Sequence, residues 1–418
     1  MKQNRLLRLP KFFQVLILFA FFVFVFFIIE KICGFYFHKN PSLSQKAAKQ
    51  GTLDRSDKYI YHPFISYKYR SSTENVRQKL DTDKYGFIHN GDPDRDLSEK
   101  KNGVYRIFIL GGSTVAGTNV ASPQMTLAGQ LESKLNEIRD KTGHDKIEVI
   151  NAGISGYNSN QELTYMIFYL KKFQPDMFLV FNGYNDFFYA FNFPEAPTIP
   201  NINPYHVKQF SWLNTNFTVG HSLSLLFDNL ANKFYSFKLL NMAMKRVGRS
   251  VRKNITLPLL LRDYEVPQKV ECDVNAAIDN YISNLNTMIG FCSTHEFDLC
   301  IMLQPSLTYD KRTLSKYDKE ILLKTDKTYH NYLLEISDTK NEGFLQLKKR
   351  FYENAGRSFE MLSKQYFQNR NLVIKNSHNI FDNMSSELYV DHCHYTDEGR
   401  DIITDEMVEI LLPIIRKL

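Results

Sequence analysis

No C-x-x-C pair occurs among the five cysteines of this 418-residue chain, so the usual support for a structural zinc site is missing. The thiols (Cys33, Cys272, Cys292, Cys300 and Cys393) leave room for a single bridge in an oxidising compartment, from Cys272 to Cys292 or Cys300. A dense basic stripe is missing too. The 52 basic and 45 acidic residues leave a net charge of +7 that is spread out, with KRVGRSVRK (245–253) as its richest cluster. A nucleic-acid binder shows a denser stripe interleaved with aromatics, so nucleic acid is not an expected partner. The cluster reads as a solvated face, with anionic lipid or an envelope glycan as alternative partners. There are no internal repeats. G-x-S-x-G is also absent, since Val115 follows GGST and Tyr157 follows GISG, which excludes the elbow of the α/β-hydrolases. Three N-x-S/T triplets (Asn216, Asn254, Asn383) matter only in a eukaryotic secretory pathway.

What is present begins with FFQVLILFAFFVFVFFII, residues 12–29, interrupted only by Gln14. As a helix these 18 residues cover about 27 Å, close to the hydrocarbon thickness of a bilayer. Lys2, Arg5, Arg8 and Lys11 precede the run with no acidic residue among them, which predicts a cytoplasmic N-terminus and an extracytoplasmic remainder. No A-x-A-like cleavage site follows, so the segment reads as an uncleaved signal anchor. The expected division is a cytoplasmic 1–11, a transmembrane 12–29, a stalk and lead-in segment over 30–103, and a catalytic domain over 104–418.

From residue 104 short apolar runs alternate with helical periodicity. YRIFIL (105–110), KIEVINAGIS (146–155), DMFLVFNG (176–183), DLCIMLQP (298–305) and NLVIKNSHNIF (371–381) read as strands. Between them 126–140, 158–173, 275–291, 344–368 and 397–416 read as helices. Near-continuous apolar strands alternating with helices predict one α/β domain, a parallel sheet covered on both faces. In such sheets the working residues sit beyond the carboxyl ends of the strands. Residues 187–270 break the rhythm and read as an insertion, which either packs on the core or forms a lid or membrane-facing element.

Three strands end in residues that chemistry can use. The first ends in GGST (111–114), which leaves Ser113 exposed beyond a tight turn. The second runs into NAGISGYN (151–158), where Gly156 can bring a backbone N–H to a ligand. The third ends in GYND (183–186), where Asn185 can aim an amide at developing negative charge and Asp186 reads as a cap of the next segment. Near the C-terminus stands DHCHYT (391–396), just before a helix with Thr396 as cap and acidic residues in its first turn. At a spacing of three, Asp391 can accept the Nδ1–H of His394 and turn the other ring nitrogen outward as a base. A serine hydroxyl needs such a base to become a nucleophile. The constellation is Ser113 as nucleophile, His394 as base and Asp391 as its orienter. The N–H groups of Ser113 and Gly156 and the Asn185 amide would form the oxyanion hole. The rival reading is a metal site from Asp391, His392 and His394. His392 reads as a bystander or supporting contact and Cys393 as a small buried filler.

The ordered set GGST, GISG, GYND and DHCH resembles the SGNH, or GDSL-like, hydrolase superfamily, whose four blocks carry Ser, Gly, Asn and His in that order. The resemblance spans roughly 104–416. It implies a three-layer α/β/α fold with a flavodoxin-like parallel sheet, and esterase, lipase, deacetylase or acyltransferase activity through Ser113, Gly156, Asn185 and the Asp391–His394 pair. It implies no cofactor and no metal. Gly112 stands where the name-giving pattern has Asp, for which altered local hydrogen bonding is expected rather than lost chemistry. The expected function is a membrane-anchored extracytoplasmic esterase acting on O-acetyl groups of an envelope polysaccharide. The alternatives are an O-acyltransferase to a glycan, a lipase or lysophospholipase, and an inactive binding protein.

Overall fold

The computed structural model describes residues 11–39, 58–62, 64–73, 81–192, 230, 234–240, 273–308, 313–336 and 343–416. The chain divides into two compact units, one of residues 1–57 with 204–265 and the other of residues 58–203 with 266–418.

The first unit contains helix α1 (Lys11–Lys39). Its stretch Phe12–Tyr36 is 25 residues long with a mean hydropathy of 3.0, long and apolar enough to cross a bilayer. The apolar run 12–29 is therefore the middle of a longer helix, which continues ten residues beyond the expected end of the anchor.

In the second unit the elements follow as β1 (Tyr59–His62), β2 (Ser66–Tyr69), β3 (Val104–Gly111), α2 (Ser113–Ala116), α3 (Leu127–Glu137), β4 (Lys146–Asn151), α4 (Ser159–Phe168), β5 (Met177–Asn182), α5 (Tyr184–Asn192), α6 (Val274–Thr294), β6 (Asp298–Leu303), α7 (Lys316–Ile336), α8 (Phe344–Gln365), β7 (Leu372–Asn376) and α9 (Asp397–Ile415). Strands β3 to β7 form one parallel sheet in the order β4-β3-β5-β6-β7. Counting only these five in chain order gives 2-1-3-4-5, the flavodoxin-like arrangement. Helices α3 and α9 pack together on the β4 side, while α4, α5 and α8 gather around α6. The sequence explains the burial on both faces. Every residue of β5 and β6 is buried, as their unbroken apolar runs require.

One polar residue inside β3 sets its register. Arg106 stands opposite Glu148 of β4, is 1% exposed, and donates from Nε to Glu148 at 2.9 Å and from Nη1 to the Phe173 carbonyl at 2.6 Å. A buried guanidinium is tolerable only with such partners, so a slipped register would strand it.

Three expectations need correction. Residues 58–103 are not simply a stalk: from Lys58 onward they belong to the unit that carries the sheet, and Ile65, Tyr67, Phe87 and Leu97 are buried in its core. The lack of a clear period hid them because the antiparallel hairpin β1–β2 is only four residues per strand. The insertion does not start at 187, since 187–192 complete α5 and Phe187 and Phe191 pack on Phe344 with ring centroids 5.2 and 4.9 Å apart. Most of 193–270, including KRVGRSVRK, lies outside the described residues. The third concerns the bridge: Cys292 and Cys300 are buried free thiols, and Cys272 lies outside the described residues.

Candidate active site

The strand order brings the first three blocks together before any side chain is considered. β3 lies between β4 and β5, so Ser113, Gly156 and Asn185 emerge at the carboxyl ends of three adjacent strands. Ser113 opens the single-turn helix α2, and its backbone N–H, like that of Gly156, meets no acceptor among the described residues. Asn151, the last residue of β4, steadies this turn by donating from Nδ2 to the Val115 carbonyl at 2.9 Å. Gly156 has φ +86°, a conformation that a residue with a Cβ adopts only under strain. Asn185 donates from Nδ2 to the Tyr157 carbonyl at 2.6 Å, which leaves the second amide hydrogen free to point elsewhere. A Cβ at Gly112 would meet that same Asn185 nitrogen, so in this arrangement the glycine lets the Asn185 amide lie close against the turn.

His394 arrives from the far edge of the sheet. Its loop follows β7 and crosses the end of β6, where the His392 carbonyl accepts from the Ser306 Oγ at 2.9 Å and the Leu307 N–H at 3.2 Å. The imidazole then spans two groups. Its Nδ1 lies 2.7 Å from Asp391 Oδ2, and its Nε2 lies 2.8 Å from Ser113 Oγ. The other Asp391 oxygen accepts the N–H groups of Cys393 and His394 at 2.9 and 2.8 Å. Burial works against a charge on Asp391, but the His394 side chain and these two N–H groups outweigh it and hold the carboxyl well below the ordinary range. Asp391 therefore stays ionised and fixes the proton on Nδ1, which leaves Nε2 to accept from the serine. Ser113, Gly156, Asn185, Asp391 and His394 are all half-buried, so the assembly faces solvent rather than the core.

The donor atoms of Asp391, Cys393 and His394 lie within 4.8 Å of one another. Both nitrogens of His394 are already engaged by Asp391 and Ser113, and burial drives the Cys393 thiol far above its ordinary value. His392, the third member of the rival metal set, turns away: its Nε2 shares a hydrogen bond with the Tyr184 hydroxyl at 2.6 Å, and its Nδ1 faces Thr325 Oγ1 at 3.4 Å.

Several residues hold the blocks in place, and sequence reasoning left their roles open or missed them. His392, read as a bystander or supporting contact, is one. Its bond to Tyr184 ties the DHCH block to the GYND block, and burial, then the nearby Lys348 charge, lower its pKa to about 3, so the ring is neutral. Lys348 of α8 is another. It is fully buried, and its Nζ donates to the Leu307 carbonyl at 2.6 Å, to Ser306 Oγ at 3.2 Å and to the His392 carbonyl at 3.4 Å. Burial lowers its pKa to about 7, opposed by Cys393 and Asp391. The signal was present: Lys348 falls on the apolar stripe Phe344, Leu345, Phe351, Tyr352, Ala355, where a charged residue needs partners.

Asp186 is a third. It does not cap the segment that follows it but the start of α4, accepting from Ser159 Oγ at 2.5 Å and from the Ser159 N–H at 3.3 Å. It thereby joins the start of α4, just past the loop that carries Gly156, to the first turn of α5, which carries Asn185. Tyr189 reinforces the junction by donating to the Gly156 carbonyl at 2.8 Å. Burial raises the Asp186 carboxyl to about 7, against the pull of the Ser159 bonds. The hairpin β1–β2 closes the other side: Tyr67 donates to the Ser155 carbonyl at 2.9 Å, and Tyr157 donates to the carbonyls of Ile65 and Tyr67. A separate cleft of about 710 Å³ opens between α8 and the loop after β7, lined by Tyr352, Arg357, His378 and Asn379, and none of the five residues lines it.

No family model matches the chain, and no curated protein matches it in sequence. Solved structures do resemble it. An acetylxylan esterase from Geobacillus stearothermophilus is 10% identical, with a TM-score of 0.39, over 74% of this chain and 94% of that one. A lipase/acylhydrolase from Enterococcus faecalis is 12% identical, with a TM-score of 0.37, over 74% of this chain and 95% of that one. A protein from Bacteroides fragilis assigned as an acylhydrolase is 10% identical, with a TM-score of 0.34, over 77% of this chain and 93% of that one. These neighbours are ester hydrolases and acylhydrolases by name.

Proposed function

We propose that the chain is a serine esterase of the SGNH type. The observation that carries this is His394 lying between Ser113 and Asp391 at 2.8 and 2.7 Å, the spacing a nucleophile, base and orienter require. Ser113 Oγ attacks the ester carbonyl while His394 Nε2 takes its proton. The oxygen that becomes negative is held by the N–H groups of Ser113 and Gly156 and by the Asn185 amide. Collapse breaks the ester C–O bond, and His394 returns the proton to the departing alcohol. Water then attacks the acyl-Ser113, again through His394, and releases the acid.

The substrate class in this reading is an ester-linked acyl group, and in its finer form an O-acetyl group on an envelope polysaccharide. Support for the finer form is the apolar N-terminal helix with its basic leader, which would hold the hydrolase outside the cytoplasm at a membrane surface.

The test is hydrolysis of p-nitrophenyl esters from acetyl to octanoyl by the full-length protein in detergent. Turnover is expected, with acetyl preferred. Ser113→Ala should lower kcat by about 10⁴-fold or more, and Asn185→Ala by about 10²–10³-fold. Turnover that survives Ser113→Ala would sink the mechanism, and a preference for octanoyl would replace the acetylated glycan by a lipid. A folded wild type with no turnover, but with acyl transfer to an added sugar, would make the protein a transferase.

A further inference from the structure

Within the first unit, three residues of α1 four apart, Phe26, Glu30 and Gly34, form one stripe along the helix, and one other segment occupies it. Glu30 Oε1 accepts the backbone N–H of Tyr235, and Oε2 accepts the N–H and the hydroxyl of Ser236 at 2.9 and 2.8 Å. One turn toward the N-terminus, the Phe26 ring meets Phe234 edge-on with centroids 5.2 Å apart and Phe237 at 6.4 Å. One turn the other way, a Cβ on Gly34 would stand 3.2 Å from the Tyr235 ring, so the missing side chain leaves room for that ring.

This contact resolves two costs at once. Glu30 follows directly on the apolar run and lies inside the stretch suited to a bilayer, where a carboxylate is expensive unless donors meet it. Residues 235–240 are helical, and the first N–H groups of a helix have no acceptor of their own, which is equally expensive away from water. Each supplies what the other lacks, and the positive end of the short helix faces the carboxylate.

We propose that residues 234–240 are embedded in the outer lipid interface, docked on the Phe26–Glu30–Gly34 stripe of α1, with lipid as the partner of the exposed Tyr235 and Leu240 side chains. The inference rests on the reading of α1 as a membrane anchor. Side chains packed on Phe26 share its medium, because Phe26 lies about 6 Å deeper along the helix than Glu30. Tyr235 at that level matches the aromatic belt of spanning proteins, which is rich in tyrosine and tryptophan.

The experiment uses the full-length chain in vesicles of phosphatidylcholine and phosphatidylglycerol that carry bromine either shallow or deep on the acyl chains. Trp212 is the sole tryptophan, so Trp212→Phe gives a silent background. Phe22→Trp reports on the anchor and Tyr235→Trp on the docked segment. The deep bromine should quench Phe22→Trp most, and the shallow bromine should quench Tyr235→Trp most, with the latter shielded from aqueous iodide. Glu30→Ala should restore Tyr235→Trp fluorescence and leave Phe22→Trp quenched. Tyr235→Trp open to iodide and unquenched, beside a quenched Phe22→Trp, would overturn the lipid embedding alone. Quenching that ignores Glu30→Ala would overturn the docking. If Phe22→Trp itself is unquenched, the anchor reading falls with it.

Discussion

Among single residues, Asp186 shows how a buried carboxyl can serve a site it never touches. It holds Ser159 beside Asn185, and its surroundings withhold enough water to raise its pKa to about 7. Glu162, also buried and raised well above its ordinary value by burial and by Asp186, faces it, and the Asn182 amide opposes that shift. In the unfolded chain an aspartate loses its proton near pH 4, roughly 3.9 in model peptides. Between about pH 4 and about 7 the native state therefore binds a proton that the unfolded state has released, and stability falls as pH rises through that window. Asp186→Asn keeps an oxygen for Ser159 but carries no charge. Its urea midpoint relative to wild type should rise from pH 4 to pH 7 and level off above. A difference that stays flat across that range would mean Asp186 titrates as an ordinary surface carboxylate.

Short elements can matter more to this site than long ones. The hairpin β1–β2 contributes eight residues, yet it clamps the loop that carries Gly156 through Tyr67, Tyr69 and Tyr157. Tyr157 is 1% exposed and spends its hydroxyl on two hairpin carbonyls. Tyr157→Phe takes the hydroxyl from both carbonyls, of which Ile65 keeps the Tyr67 N–H at 2.8 Å, and should cost about 1–3 kcal/mol. The loss should appear in the unfolding midpoint together with a lower kcat, because the neighbouring Gly156 N–H is freed to wander. A midpoint and kcat both unchanged would show that the hairpin is a passenger. Helix α9 makes the same point from the other side. Thr396 caps it, accepting from Gly399 N–H at 3.2 Å, and Asp397 and Glu398 fill its first turn, so the turn before it, Asp391–Tyr395, is anchored at its C-terminal end.

Over the whole molecule, the sheet is the rigid platform from which the working loops project. Phe108 at its centre is 0% exposed and contacts Phe87 and Phe178 at ring-centroid distances of 5.7 and 6.2 Å. Phe108→Ala should cost about 3–5 kcal/mol, whereas Met361→Ala, at a position 63% exposed, should stay within about 0.5 kcal/mol. Urea unfolding of the full-length protein in detergent checks both. Similar shifts for the two would mean the sheet core is not where stability resides.

Much of this was legible before any coordinates. The central strands β5 and β6 announced themselves as nearly unbroken apolar runs, because a strand covered on both faces has little polar side to show. Ser113, Gly156 and Asn185 could be named as candidates because each stands within five residues of a strand end, and Asp391 with His394 because the pair is local in the chain. The hairpin and the supporting roles of Lys348 and Asp186 were not, since each acts through partners remote in sequence. By itself the sequence determined which residue types stand at which strand ends, a matter of local pattern. Only the tertiary structure decided that β3 lies between β4 and β5, and that the loop after β7 crosses β6 to bring His394 within 2.8 Å of a serine 281 residues away. Strand order and loop crossing depend on contacts between distant segments, which no local pattern encodes.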